Sequence, residues 1–365
     1  MNKVKVLVVD DSAFMRKFIT DLLSENPQIE VVGTARNGKE ALEKVSLLNP
    51  DVVTLDVEMP IMNGIDALKQ IMKEHPLPVV MLSSTTTEGA KNTIIAMQYG
   101  AIDFVAKPSG EISLDLYKVK EELINKVLLA SRANVPAISK DNASEIIMNP
   151  MYDKRAYQRK KIVCIGTSTG GPRALQQVLT RLPENIAAPI MIVQHMPKGF
   201  TKSLAQRLDS LSQITVKEAE DGETLQNGTA YIAPGGFHLL VRKSNGSLTT
   251  CVEQSPPRNG HRPSVDVLFE SISALTDYEK IAVIMTGMGS DGTAGLKKLK
   301  ENGNTKVIAE AQETAVVFGM PRAAIQANVV DLIVPLEQIA QMIVKYVEGQ
   351  GGKGDGHEPI FGSVH

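Results

Sequence analysis

The chain alternates short apolar runs with amphipathic stretches, and it does so twice. From Lys3 to about Ala130, the runs VKVLVVD, EVVGTA, DVVTLD, PVVMLS and DFVAK read as strands. Several lack polar alternation, as strands buried on both faces do. Phe14, Met15, Phe18, Ile19, Leu22 and Leu23 recur at helical spacing between the first two runs, and Ala41, Leu42, Val45 and Leu48 recur in the next gap. Strand–helix units in this order predict a doubly wound parallel sheet. The pattern fades through ANVPAISKDNASEIIMNPMYDKRAYQRKK, which is read as a linker with a short helix; its basic end is read as a solvated linker end rather than a binding patch. A second α/β pattern follows. KIVCIG, APIMIVQH, TAYIAP, KIAVIMTG and TKVIAE read as strands, and PRALQQVLTRL, SVDVLFESISAL and GTAGLKKLKE as helices. HLLVRKSNGSLTTCVE reads as a hairpin turning at Asn245-Gly246. The expected division is 1–125, a linker at 126–159, a second domain at 160–347 and a disordered tail at 348–365.

Composition narrows the function. With 43% hydrophobic residues over 365 positions, there is enough apolar material for ordinary globular cores. A formal net charge of −2 argues against a nucleic-acid surface as the main business. Cys164 and Cys251 stand far apart and alone, so neither a disulfide framework nor a zinc spacing can be built from them. Asp10 and Asp11 cut the first apolar run too short for a signal peptide, and no run is long enough to span a bilayer. A cytoplasmic protein that is not membrane-inserted is expected.

The first sheet should collect chemistry at one edge. In a parallel sheet all strand C-termini face the same way, and sites form there. Asp10 and Asp11 follow the first strand, Asp56 ends the third, Ser83 and Ser84 end the fourth, and Lys107 ends the fifth. Any one acidic residue at a strand end reads as a helix cap; the full set at the correct ends does not. Three carboxylates together call for a cation, and oxygen ligands with phosphate chemistry favour Mg²⁺. Beside it, Asp56 can attack phosphorus to form an aspartyl phosphate, with Lys107 pairing with the phosphoryl oxygens and Ser83 hydrogen-bonding to one of them. VVDDS, LDVEMPIMNG, MLSS and AKP, in that order, resemble a two-component response-regulator receiver, a flavodoxin-like domain. The resemblance implies that Asp56 is the phosphoacceptor, Asp10 and Asp11 acidic metal-site residues, and Ser83 and Lys107 switch residues. It also implies that Phe104 is the aromatic that reorients on activation.

In the second domain, KIVCIGTSTGGPRALQQVL reads as strand, tight turn, helix, and Gly166–Gly170 satisfies G-x-S-x-G. The turn would expose the Ser168 hydroxyl at the sheet edge beside a helix N-terminus. The same features suit a phosphate loop, so a nucleotide-binding output domain competes, without a Walker lysine or G-x-G-x-x-G spacing. A nucleophilic serine needs a base. Three histidines outside the first domain and the tail are candidates: His195, which ends the strand expected to neighbour KIVCI, and His238 and His261, which taken alone read as surface histidines. Asp291, at another strand–glycine turn–helix, can orient His195, although alone it reads as a helix N-cap. Gly287-Met288-Gly289 can present N–H groups as an oxyanion hole. The order Ser, His, Asp excludes the α/β-hydrolase fold, which runs Ser, Asp, His.

IGTSTGGP, VQHMP, APGG, HRPSVDVLF and MTGMGSDG resemble the catalytic domain of the chemotaxis protein-glutamate methylesterases, the CheB family, in which a receiver precedes the enzyme. The resemblance implies a mostly parallel sheet with an added hairpin, a triad of Ser168, His195 and Asp291, and the Met288 amide as oxyanion donor. Thr169 would line the site, with His261 and Arg262 near it. Thr167 and Ser290 stand where alanine is more usual. The implied activity is phosphorylation-activated hydrolysis of γ-glutamyl methyl esters on chemoreceptors, with deamidation of receptor glutamines. The implied partners are a CheA-like histidine kinase as phosphodonor and methylated chemoreceptor cytoplasmic domains as substrate. Mg²⁺ is implied for the receiver and no cofactor for the catalytic domain. The end, EPIFGSVH, does not resemble the receptor-docking pentapeptide of some members, so tethered recruitment is not expected. A non-catalytic receptor adaptor on the same fold is the remaining competitor; a serine-directed probe would not label it.

Overall fold

A computed structural model describes residues 3–84, 86–107, 115–135, 160–244 and 246–349. The expected linker helix, Asn245 of the hairpin turn and the tail beyond residue 349 lie outside the described residues. The first unit runs β1 (Val4–Val9), α1 (Ala13–Ser24), β2 (Ile29–Ala35), α2 (Gly38–Leu48), β3 (Val52–Asp56), α3 (Gly64–Glu74), β4 (Val79–Ser83), α4 (Thr87–Gln98), β5 (Asp103–Ala106) and α5 (Asp115–Ala130). Its sheet is parallel throughout in the order β2-β1-β3-β4-β5. Strands β3 and β4 are buried at every position, which explains their unbroken apolar text. Helices α1 to α4 begin at Ser12, Asn37, Asn63 and Thr86, and each cap side chain accepts a backbone N–H of the first turn. Helix α5 passes the boundary expected at 125 and reaches Ala130, because Leu123, Val127 and Ala130 are all buried against this sheet.

The second unit runs β6 (Lys160–Thr167), α6 (Gly171–Leu179), β7 (Ile190–Gln194), α7 (Phe200–Asp209), β8 (Thr215–Glu218), β9 (Thr229–Ile232), β10 (His238–Ser244) and β11 (Ser247–Glu253). It continues with α8 (Val265–Ser273), β12 (Tyr278–Ile284), α9 (Thr293–Glu301), β13 (Thr305–Glu310), α10 (Met320–Gln326), β14 (Leu332–Val334) and α11 (Leu336–Val347). Its main sheet is parallel in the order β14-β13-β12-β6-β7-β9-β8, and the β10–β11 hairpin forms a separate antiparallel pair. From the central β6 the chain first builds towards β8 and later returns on the other side through β12. Loops leaving β6 and β12 therefore diverge at a topological switch point, where α/β sheets open a crevice.

Helices α6, α7 and α9 differ from those of the first unit. They begin at Gly170, Gly199 and Gly292, all left-handed and with no side chain of their own to cap the first turn. Their first N–H groups are left for other partners at the sheet edge.

The two units touch along that edge. Helix α4 packs on α6 and α7, Phe104 stacks on Phe200 with ring centroids 4.5 Å apart, and Arg207 Nε donates to Gln98 Oε1. Asn134, after α5, donates from its side chain to the carbonyls of Gln312 and Ala315. No helix among the described residues is long and apolar enough to cross a membrane.

Candidate active site and phosphorylation pocket

The first edge gathers the expected carboxylates. Ligand oxygens of Asp10, Asp11 and Asp56 all lie within 4.8 Å of one another, and Lys107 Nζ lies 2.8 Å from both Asp10 Oδ2 and Asp56 Oδ2. Burial pushes the Asp56 carboxyl up to about 6, against the pull of Lys107 and with a further push from Asp10. At that value the ionised form still predominates at neutral pH. Burial opposes the charge on Lys107, but its two carboxylate partners raise it above the usual lysine range. One ammonium against three carboxylates leaves net negative charge around hard oxygen donors, a donor set that fits Mg²⁺. Ser83 ends β4 as expected, but its hydroxyl is turned onto α4. It donates to the Gly89 carbonyl (3.2 Å) and accepts from Thr93 (2.5 Å). To reach a phosphoryl group on Asp56 it has to leave these partners. Phe104 is buried between Lys126, whose Nζ lies 5.0 Å from the ring centroid, and Phe200 of the second unit.

At the second edge, register does the assembling. Thr167 of β6 pairs with Gln194 of β7, and Gly166 pairs with Ile284 of β12. Ser168, His195 and the Thr286–Gly289 turn therefore leave three adjacent strands side by side. Thr286 ties the Ser168 turn down. Its carbonyl accepts from the Ser168 N–H and the Thr167 hydroxyl, both at 3.0 Å, and its own hydroxyl donates to the Thr169 carbonyl at 2.9 Å. Thr167, where alanine was expected, thus gains a buried partner. Gln194 clamps the same corner, donating from Nε2 to the carbonyls of Ser168 and His195. Gly287 is needed for close approach: a Cβ there would fall 2.7 Å from Ser168 Cβ and 2.4 Å from Met320 Sδ.

His195 Nε2 lies 2.7 Å from Asp291 Oδ2. Asp291 is buried and also accepts from Ser264 Oγ (2.8 Å), Val265 N (2.7 Å) and Asp266 N (3.1 Å). Burial raises its carboxyl, but His195 and these N–H groups outweigh that and hold it down at about 2. The sequence reading of Asp291 as an N-cap of its own helix does not hold: its side chain sits on the N-terminus of α8, not α9. With Nε2 engaged, Nδ1 is the free ring nitrogen; it is buried without a partner. Ser168 Oγ makes no hydrogen bond to His195 among the described residues, so this half of the expected triad stands open.

The other histidines depart from the surface reading. His238 is fully buried, its Nδ1 accepting from the Ser264 N–H and its Nε2 lying 3.1 Å from the Pro256 carbonyl. His261 stacks on His195, centroids 3.9 Å apart and planes 6° apart. Burial, then the neighbouring His195, pushes His261 down to about 4, so it packs as a neutral ring. The Met288 N–H has no partner among the described residues, and its side chain is exposed. Sequence reasoning missed Asp103 of the first unit. Its Oδ2 accepts from the Thr169 hydroxyl at 2.5 Å, and its Oδ1 lies 3.1 Å from Lys126 Nζ. The residue after Ser168 is thus tied to β5, the strand that carries Phe104.

A family model described as CheB methylesterase matches residues 163–343, and one described as response regulator receiver domain matches residues 6–116. A relative from Geobacillus kaustophilus, named protein-glutamate methylesterase/protein-glutamine glutaminase, is 69% identical over 95% of this chain and 99% of its own. This chain belongs to the CheB methylesterase family. Another member of that name, from Bacillus subtilis, is 53% identical over 94% of this chain and 99% of its own. A solved CheB methylesterase catalytic domain from Thermotoga maritima is 49% identical and covers 51% of this chain and 98% of its own, with a TM-score of 0.49. The CheB and receiver matches fall on the two sheets described above. If Asp56 is the acceptor of the CheB receiver, Asp56→Asn should reduce phosphoryl labelling from a small phosphodonor with Mg²⁺ to background. Labelling at the wild-type level would place the acceptor elsewhere.

Proposed function

We propose that the chain hydrolyses γ-glutamyl methyl esters on the cytoplasmic helices of chemoreceptors, releasing methanol, and that it deamidates receptor glutamines at the same serine. One observation carries this reading. Ser168 and His195 leave adjacent strands, and the far nitrogen of His195 is fixed on Asp291 at 2.7 Å. That leaves Nδ1 as the base. Ser168 Oγ attacks the ester carbonyl, Nδ1 takes its proton, and the oxyanion rests on N–H groups that include that of Met288. The proton then leaves with methanol, or with ammonia from a glutamine. Water, deprotonated at Nδ1, attacks the acyl-enzyme and releases glutamate. The Ser168–His195 contact closes with substrate in this scheme, as catalytic hydrogen bonds often do.

Control falls to the receiver. A CheA-like histidine kinase is the proposed phosphodonor and Asp56 the acceptor. Asp10, Asp11 and Asp56 would hold Mg²⁺, which when bound offsets the charge of the carboxylates and the incoming phosphoryl group. Lys107 would then pair with the phosphoryl oxygens and Ser83 would turn from α4 to join it. Lys107 follows β5 directly, and β5 carries Asp103 and Phe104 into the second unit. Phosphorylation would loosen these contacts and free the face beside Ser168, a two-state interface in which the covered state is inactive. With these proposed partners the reaction would run in the cytoplasm.

Two substitutions test this function. Ser168→Ala should lower methanol release from methylated receptor membranes by about a thousandfold or more. Release near the wild-type rate would sink the esterase reading. Asp103→Ala removes a charged acceptor worth about 1.5–3 kcal/mol, and should raise unphosphorylated activity about tenfold by weakening the cover. An unchanged basal rate would detach Asp103 from control.

A further inference from the structure

Helix α9 begins at Gly292, directly after Asp291, with φ of +97° and no side chain to cap its first turn. The cap comes from another helix. Asp266, in the first turn of α8 and 1% exposed, accepts the Gly292 N–H at 2.9 Å and the Gly295 N–H at 2.7 Å through Oδ1. Those are the cap and third positions, the latter a usual partner of a cap side chain. Asp291 returns the arrangement. It accepts from Ser264, Val265 and Asp266, which are the cap and first two positions of α8. The two helices have exchanged caps, and each buried carboxylate sits on the positive end of the other's helix.

We infer that Asp266 is a positioning residue for catalysis, pinning the start of α9 so that Asp291 stays within hydrogen-bonding distance of His195. This inference rests on the serine-hydrolase reading above. Asp291 is held by its carboxylate on α8 and by its backbone neighbour on Asp266. Without Asp266, two buried N–H groups lose their acceptor and the turn carrying Asp291 is anchored from one side only. A fixed start leaves little room at Gly292, where a Cβ would fall 2.7 Å from Val265 Cγ1. The charged and polar groups facing the pair are few. Asn259 Nδ2 donates to Asp266 Oδ2 at 3.3 Å, and Arg258, itself paired with Glu270, acts on both carboxylates. His195 and His261 also face Asp291.

The test measures methanol release from methylated receptor membranes by the full chain with phosphodonor and Mg²⁺. Asp266→Ala should lower kcat by about 10–100-fold, as loss of a group that orients a catalytic side chain does, with KM held within about twofold. Asp266→Asn keeps an oxygen that accepts the same two N–H groups and should restore most of kcat. A folded Asp266→Ala chain with wild-type kcat overturns the inference, as does Asp266→Asn if it is as impaired as Asp266→Ala. If Asp266→Ala does not fold, Asp266→Ser is measured with the same expectation, and an unchanged kcat again overturns it. Labelling of Ser168 by a fluorophosphonate runs in parallel and needs no receptor. Slower labelling in Asp266→Ala, restored in Asp266→Asn, supports the positioning role even if the wild type releases no methanol; that second result would count against the receptor reading instead.

Discussion

The hydrogen bond between His195 and Asp291 is the constraint around which the second unit is arranged. It spans two loops far apart in sequence, and a buried carboxylate beside an imidazole is unfavourable unless its charge is met. The fold meets it with the N-terminus of α8: a hydroxyl and two backbone N–H groups converge on Asp291. The result is an anion held down at about 2. It stays ionised across the working range and fixes which nitrogen of His195 is left for a proton. His261, neutral and stacked face to face, holds the ring from its other side. Much of the parallel sheet can be understood as the frame that brings β6, β7 and β12 into register for this one bond.

The receiver meets the same edge. β5 is the shared part: Lys107 at its end joins Asp10 and Asp56, while Asp103 and Phe104 within it hold Thr169 and Phe200. Only the short strand β5 separates the carboxylate pocket from Thr169, the neighbour of the proposed nucleophile Ser168. Coupling between them needs no long pathway, only two arrangements of one strand end. Lys126 strengthens the contact by sitting on both Asp103 and the Phe104 ring; burial works against its charge, yet Asp103 and Glu122 raise it.

Much of this was legible in the sequence because it depends on strand ends. Buried strands write themselves as apolar runs, and residues at their C-termini must share an edge, so Asp10, Asp11, Asp56, Lys107, Ser168, His195 and Asp291 could be grouped before any coordinates. Strands β8 and β14 could not be seen: both are short, partly buried edge strands, β8 with polar residues in its four and β14 with three residues in all. Roles set by helix exchange were hidden too. Asp266 and Ser264 lie in a stretch whose periodicity predicts only a helix, and nothing local says that their partners are Asp291 and Gly292. His238 misread as surface because its burial comes from the hairpin folding onto α8, a long-range contact. The orientation of Ser83 and the Asp103–Thr169 bond depend on how side chains turn at a strand end, which strand assignment does not fix.

Chemistry at Asp56 is proposed to control access to Ser168. The most direct measurement is the initial rate of methanol release from methylated receptor membranes by the intact chain, with Mg²⁺, before and after addition of a small-molecule phosphodonor. A rise of at least about tenfold, the scale of one charged interface contact, is expected in the wild type and none in Asp56→Asn. Equal rates with and without phosphodonor, in a chain shown to be phosphorylated, would contradict it.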